Sequence, residues 1–186
     1  MRHYTILLFV SIAISQLAAR GQAPAAKAPM TDADKIKNAL SAAPAGIAKD
    51  AAVMDMGATP GTPMVEFRKG TNGWTCLPDM ASTPGNDPMC LDKIAMQWMQ
   101  AWMVKKDPKL PGVGFGYMLQ GGSEADNDDP FADKPKPGKS WINEPPHLMV
   151  FGTKVAPGTY TSERAASGAW VMFKGTPYEH LMVPVK

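Results

Sequence analysis

The tetrapeptide His-Leu-Met-Val occurs twice in the sequence, at residues 147–150 and 180–183. A strand turns side chains two positions apart to the same face, so each copy presents an imidazole together with a thioether. If the two strands are neighbours, the side chains of His147, Met149, His180 and Met182 could form one His2Met2 cluster. Imidazole and thioether ligands suit copper, so the repeat predicts a copper site.

The same repeat also has an explanation in ordinary strand packing, with His and Met on one face and Leu and Val on the other. A final turn that pairs Phe173 with Tyr178 would place Val171 opposite His180, and an apolar neighbour favours a core histidine without a ligand. A metal-bound imidazole also needs an acceptor for its second N–H group, and Glu179 points to the opposite face from His180. The sequence leaves both interpretations open.

An acidic stretch around Asp126, Asp128 and Asp129 offers a second candidate site. Carboxylate oxygens are the ligands that calcium prefers, so these residues form a calcium alternative. The stretch lacks the glycine and the distal glutamate of an EF-hand loop. A solvated acidic loop is therefore the favoured interpretation.

Cys76 and Cys90 are the two cysteines of the chain. Their spacing fits neither a CxxC redox motif nor a zinc ribbon, and the segment between them is rich in turn-forming residues. An even pair of cysteines in an exported chain predicts a disulfide bond.

The first 21 residues have the pattern of a secretory signal peptide. Arg2 and His3 precede an apolar run of about 11 residues, and small residues follow at 15–23. That run is too short for a membrane-spanning helix, which needs about 20 residues, and no cysteine is present for a lipid anchor. We expect a secreted or periplasmic protein without a membrane anchor after processing, and a disordered Ala/Pro linker at residues 22–30.

The net charge of the chain after processing indicates which classes of partner to expect. Removal of residues 1–21 takes away Arg2 and Arg20 and no acid, so the net charge of +2 becomes zero. A neutral chain gives no indication of nucleic-acid binding or of an anionic membrane surface.

The remaining chain, residues 31–186, predicts one α+β domain with a mainly antiparallel sheet, two helices and one disulfide. Thr31 is expected to cap a helix to about residue 43, and Asp87 a longer helix over 88–106. The dipeptide Asn72-Gly73 predicts a hairpin. Further strands are expected at 113–119, 147–151, 169–174 and 178–185, with an irregular loop over 120–146.

Two sequence blocks, residues 70–78 together with 87–92 and residues 175–185, resemble a group of uncharacterised exported bacterial proteins of unknown function. The resemblance extends over residues 62–186. It implies a location in the bacterial envelope or outside the cell, and it assigns no catalytic residues.

The leading functional hypothesis is a non-enzymatic domain that binds a small ligand or an envelope partner, with no cofactor assigned. The copper site is the first alternative. A hydrolase is the least favoured, because the chain after processing has two histidines and no recognisable nucleophile motif.

Overall fold

The structure, a computed structural model, describes residues 27–56, 62–163 and 168–185. The expected signal peptide and residues 22–26 of the expected linker lie outside these ranges. Within the described ranges, no helix has the length and apolar character needed to cross a membrane.

The described residues form three helices and ten strands. The helices are α1 (Asp32–Leu40), α2 (Ala45–Ala48) and α3 (Lys93–Met103). The strands are β1 (Ala52–Asp55), β2 (Val65–Arg68), β3 (Thr75–Leu77), β4 (Met89–Leu91), β5 (Gly114–Met118), β6 (Gly122–Glu124), β7 (Ile142–Glu144), β8 (His147–Phe151), β9 (Trp170–Met172) and β10 (His180–Pro184).

Eight of these strands form one sheet in the order β2-β1-β3-β4-β5-β8-β10-β9. The β1–β3 pair is parallel and the other neighbouring pairs are antiparallel. The expectation of an α+β fold around a mainly antiparallel sheet is confirmed. Strands β6 and β7 form a separate two-stranded sheet inside the segment expected to be an irregular loop.

The predicted hairpin at Asn72-Gly73 is wrong, because β1 lies between β2 and β3. The segment before that dipeptide packs against the connection that leads into β1. The Arg68 guanidinium donates to the backbone oxygen of Ala51, and the backbone nitrogen of Thr71 donates to the Asp50 oxygen at 2.8 Å. These contacts keep the chain on β1, so β2 and β3 take its two opposite edges.

The helix predicted over 88–106 is shorter, because its first residues form strand β4. Cys90 lies directly opposite Cys76 on β3, and the two form the predicted disulfide. The helix begins only at Lys93, and its cap is Asp92 rather than Asp87. The Asp92 carboxylate accepts from the backbone nitrogens of Ile94 and Ala95 at 2.9 and 2.8 Å.

At the amino-terminal helix, the predicted cap is confirmed. The Thr31 hydroxyl accepts from the backbone nitrogen of Asp34 at 3.2 Å. The helix ends at Leu40 rather than near residue 43, and the short helix α2 follows.

The two faces of the sheet have different partners. Helix α1 contacts β1 to β4, and the disulfide is buried with small apolar residues on that face. Helix α3 packs against β4, β5 and β8 on the other face. Because side chains alternate along a strand, the face under α3 receives the alternate positions Leu77, Met89, Leu91 and Met118, which continue into the larger core.

The last residues of the expected linker are attached to the domain. The Lys27 ammonium donates to both carboxylate oxygens of Asp79 at 2.8 and 2.6 Å, and also to the backbone oxygens of Met80 and Gly85. The expectation of disorder is therefore wrong at this end of the segment.

Candidate functional site

The two His-x-Met strands are neighbours and turn the same face to the core. Strands β8 and β10 pair antiparallel, with Met149 directly opposite Met182. The side chains of His147, Met149, His180 and Met182 are all buried. Gly116 lies opposite Met149 on β5, and a side chain there would meet the Met149 methyl group at 2.8 Å, so the glycine leaves room for this methionine.

The register separates the two histidines. His147 lies opposite Pro184, four residues along β10 from His180, which corresponds to about 14 Å along the strand. Each Nδ1 is bonded to a carbonyl at the outer end of its own strand, namely Pro145 for His147 and Tyr178 for His180. The two rings thus lie at opposite ends of the Met149–Met182 pair, each oriented by its own backbone carbonyl.

The residue that lies opposite His180 on the neighbouring strand also differs from the expectation. The final turn contains a left-handed residue, Phe173 (φ 55°), and the strands end before it. As a result Val171 lies opposite Leu181, and Met172 lies opposite His180. This shift by one residue replaces the expected apolar neighbour of His180 with a thioether.

The hydrogen bonds fix the proton position on both imidazoles. A carbonyl oxygen only accepts, so Nδ1 carries the proton in each ring, at 2.7 Å from the Pro145 oxygen and 3.0 Å from the Tyr178 oxygen. Burial lowers the pKa of His147 and of His180 to about 4, so both rings are neutral at pH 7. Each Nε2 therefore has a lone pair. On the other side of each ring, a backbone carbonyl accepts the Nδ1–H group, so Glu179 is not needed as the acceptor for His180.

A cavity of about 80 Å³ lies between helix α3 and the core face of the sheet. Half of the chain's methionines line it, so its wall is soft and polarisable: Met80, Met89, Met99, Met118, Met149, Met172 and Met182. The other apolar residues of the wall are Leu91, Trp98, Trp102, Phe151 and Phe173. Its polar residues are Asp87, Ser123, Glu124, Glu144 and His180. We call this space the methionine-lined cavity; His147 is not part of its wall.

The carboxyl groups of Asp87 and Glu144 approach each other at Gly122, a residue of β6 beside the cavity. A Cβ atom on this glycine would lie 3.0 Å from the Met118 methyl carbon, 3.5 Å from Glu144 Oε2 and 3.6 Å from Asp87 Oδ1. The missing side chain thus leaves a space that two carboxyl oxygens border. Both carboxyl groups are almost fully buried.

The Asp87 carboxyl group is held by hydroxyl groups rather than by a cation. The Thr83 hydroxyl donates to it, and the Ser123 hydroxyl lies 3.3 Å away. Burial raises the pKa of Asp87, and the Asp79 carboxylate acts in the same direction, while the Thr83 hydrogen bond and Lys27 oppose them. Through its contacts with residues 79–85, Lys27 also positions the loop that brings Met80 and Asp87 to the cavity.

Glu124 provides a third acidic group with an altered titration. Burial raises its pKa from 4.5 to about 7, and the carboxylates of Asp87 and Asp126 act in the same direction. The hydrogen bond from the backbone nitrogen of Ala125 opposes this shift. The carboxyl group is therefore about half protonated at neutral pH.

We expect Glu124→Gln to stabilise the protein above about pH 4.5, with the full effect reached above about pH 7. Because the pKa is higher in the folded than in the unfolded state, the charged form costs stability, and this cost grows from about pH 4.5 to pH 7. The variant should gain about 1–3 kcal/mol in free energy of unfolding at pH 8 and almost nothing at pH 4. Urea unfolding of both proteins across this range measures the difference. The exposed Glu163→Gln serves as the control, and a gain that does not vary with pH would contradict the assignment.

The calcium alternative receives little support from the geometry. Asp126 is buried and its carboxylate contacts Lys136 Nζ at 2.6 Å, a hydrogen bond that lowers the pKa of Asp126. Asp129 accepts from the backbone nitrogen of Phe131 within its own turn. Across the described ranges, no three His, Cys, Asp or Glu side chains are arranged to hold an ion.

A wider depression of about 640 Å³ lies at the carboxyl end of α3 and is open to solvent. Its polar residues are Gln100, Lys105, Lys106, Asp107 and Lys109. The lysines are exposed, so they offer few fixed groups, and we place the candidate site in the smaller and less open cavity.

Sequence reasoning found Met149, His180 and Met182, but it missed most of the cavity. The sequence predicts Asp87 as a helix cap, whereas the structure places it in the cavity wall. The buried carboxyl groups of Glu124 and Glu144 come from β6 and β7, inside the expected loop. A usable signal was Gly114-x-Gly116 before Met118, since alternating glycines on a strand leave space on one face.

The chain matches no protein-family model, no curated protein sequence and no solved structure.

Proposed function

We propose that this chain is an exported, non-enzymatic binding protein whose ligand is a small cation held in the methionine-lined cavity. The observation that carries the proposal is the chemistry of the wall. Of the residues that the structure describes, seven thioethers and three carboxyl groups line it, and neither a lysine nor an arginine does.

The electrostatics of the wall favour a positive ligand. Asp87, Glu124 and Glu144 share one cavity, and burial penalises the charged form of a carboxyl group. A bound cation offsets this penalty because it stabilises the carboxylate form. The thioether sulfurs and aromatic rings add a polarisable surface that suits a cation with little hydration.

Size and compartment support the same proposal. A cavity of about 80 Å³ has room for an ion or a very small organic cation. Export is supported by the amino-terminal pattern of charged, apolar and small residues, and a disulfide is typical of an oxidising compartment.

Protein isolated from its native compartment, without added metal or buffer amines, should carry the cation. We expect native mass spectrometry to show a chain that starts between residues 20 and 24, together with a ligand lost on denaturation. The double variant Asp87→Asn, Glu144→Gln should lose most of this occupancy, because it removes two carboxylates from the wall. Exposed Asp133→Asn is the matched control and should keep its ligand.

Two results would overturn the proposal. One is a cavity that is empty in protein from the native compartment. The other is a neutral or anionic ligand, or a cation whose occupancy is equal in the double variant and in the control.

A further inference from the structure

We propose that the cation is Cu(I), bound by Nε2 of His180 and by the thioether sulfurs of Met149, Met172 and Met182. This inference rests on the proposed function, since it identifies the cation and places it at the methionine end of the same cavity. It differs from the cluster expected from sequence, because Met172 joins the site and His147 leaves it.

The sheet register brings the four side chains together. Met172 lies directly opposite His180, and Met149 lies directly opposite Met182. His180 and Met182 are two residues apart on β10 and so share a face. All four side chains are buried and line the methionine-lined cavity.

The His180 imidazole is prepared to coordinate a metal. Its Nδ1–H group donates to the Tyr178 carbonyl, which fixes both the tautomer and the ring orientation. Within the described residues, Nε2 has no hydrogen-bond partner. A neutral nitrogen with a lone pair, held by a backbone carbonyl on its other side, is the usual state of a metal-binding histidine.

The surroundings of His180 favour a soft monovalent ion. The ring stacks on Phe151 at 4.8 Å and meets the edges of Trp98 and Phe173 at 5.1 and 5.6 Å. These rings keep water away, which disfavours hard ions that retain their hydration shell. Thioether sulfur is a soft ligand that selects Cu(I) over harder divalent ions.

His147 provides a matched control within the same chain. It is also fully buried, it also donates from Nδ1 to the carbonyl two residues before it, and it also precedes a methionine on its strand. It lies at the other end of the methionine pair and does not line the cavity. The proposal therefore predicts that a substitution at His180 lowers the affinity for Cu(I) strongly, whereas the same substitution at His147 changes it little.

The test is a titration of metal-free protein with Cu(I) under nitrogen, in competition with a chromophoric Cu(I) chelator. We expect one ion per chain. His180→Phe and Met182→Leu should each weaken binding at least about 10-fold, because even the loss of a group hydrogen-bonded to a metal ligand costs about 10–100-fold in metal affinity. The controls His147→Phe and Met96→Leu should stay within about 3-fold of the parent protein. X-ray absorption at the copper edge should show sulfur and nitrogen neighbours.

Met182→Leu and its control Met96→Leu guard against misfolding, because Leu conserves the volume of Met in a packed core. Equal losses in His180→Phe and His147→Phe would overturn the assignment in favour of a site that uses both histidines. Absence of Cu(I) binding, while native protein carries another cation, would overturn the copper inference and leave the proposed function in place. Absence of Cu(I) binding together with an empty native cavity would overturn both.

Discussion

The double variant Cys76→Ala, Cys90→Ala should lose about 3 kcal/mol of stability, because the bond closes a loop of about 15 residues in the unfolded chain. For a domain of this size, the loss corresponds to a fall of about 6–12 °C in melting temperature. Urea unfolding with and without a thiol reductant measures the effect.

The position of the bond makes this prediction specific. Both cysteines are completely buried on the face of the sheet that α1 covers, and they join directly opposite residues of β3 and β4. Wild-type protein unfolded in reductant should match the double variant, since both lack the same constraint. An unchanged urea midpoint after complete reduction would contradict the prediction.

Trp170→Ala should destabilise the domain by about 3–5 kcal/mol, as expected for removal of a fully buried tryptophan. Trp170 lies opposite Met182 on the edge strand β9, and its ring centroid is 6.1 Å from that of His147. Removal of the indole ring leaves a cavity beside Met182 and His147. Chemical unfolding monitored by far-ultraviolet circular dichroism measures the change.

Trp170→Phe should recover more than half of that loss. The indole N–H of Trp170 is buried without an acceptor among the described residues, so its removal costs no hydrogen bond. The comparison is Trp102→Phe, because the Trp102 indole donates to the Pro130 oxygen at 2.7 Å and this bond would be lost at a cost of about 1 kcal/mol. Equal losses in Trp170→Ala and Trp170→Phe would show that the ring contributes little by packing.

Local signals in the sequence predicted local structure well. The Thr31 cap, the paired cysteines and the alternation of His and Met on two strands all depend on residues a few positions apart. Each of these features occurs in the structure, and the repeat correctly suggested neighbouring strands. The α+β class followed from the mixture of short strands and amphipathic helices.

The errors arose where distant contacts override a local signal. Pro88 suits the first turn of a helix, but pairing of Cys90 with Cys76 holds the next residues in a strand. Asn72-Gly73 suits a tight hairpin, but β1 arrives from earlier in the chain and separates the two strands.

The acidic end of the candidate site could not be derived from the sequence for the same reason. Asp87 and Glu144 are 57 positions apart in the chain, and they meet only because β6 and β7 fold over the cavity beside Gly122. The pattern of charges along the sequence does not show which distant carboxyl groups come together in the fold. The methionine end was more accessible, because three of its four residues, Met149, His180 and Met182, belong to the repeated tetrapeptide.

The chain between the two cysteines is a covalent ring, and this ring carries Met80 and Asp87 of the cavity wall. Its two ends are held by the disulfide, and Lys27 holds its middle through Asp79 and Gly85. The wall therefore has little conformational entropy left to lose when a ligand enters. Folding and disulfide formation thus fix this part of the wall in advance, which lowers the entropic cost for the ligand that we propose.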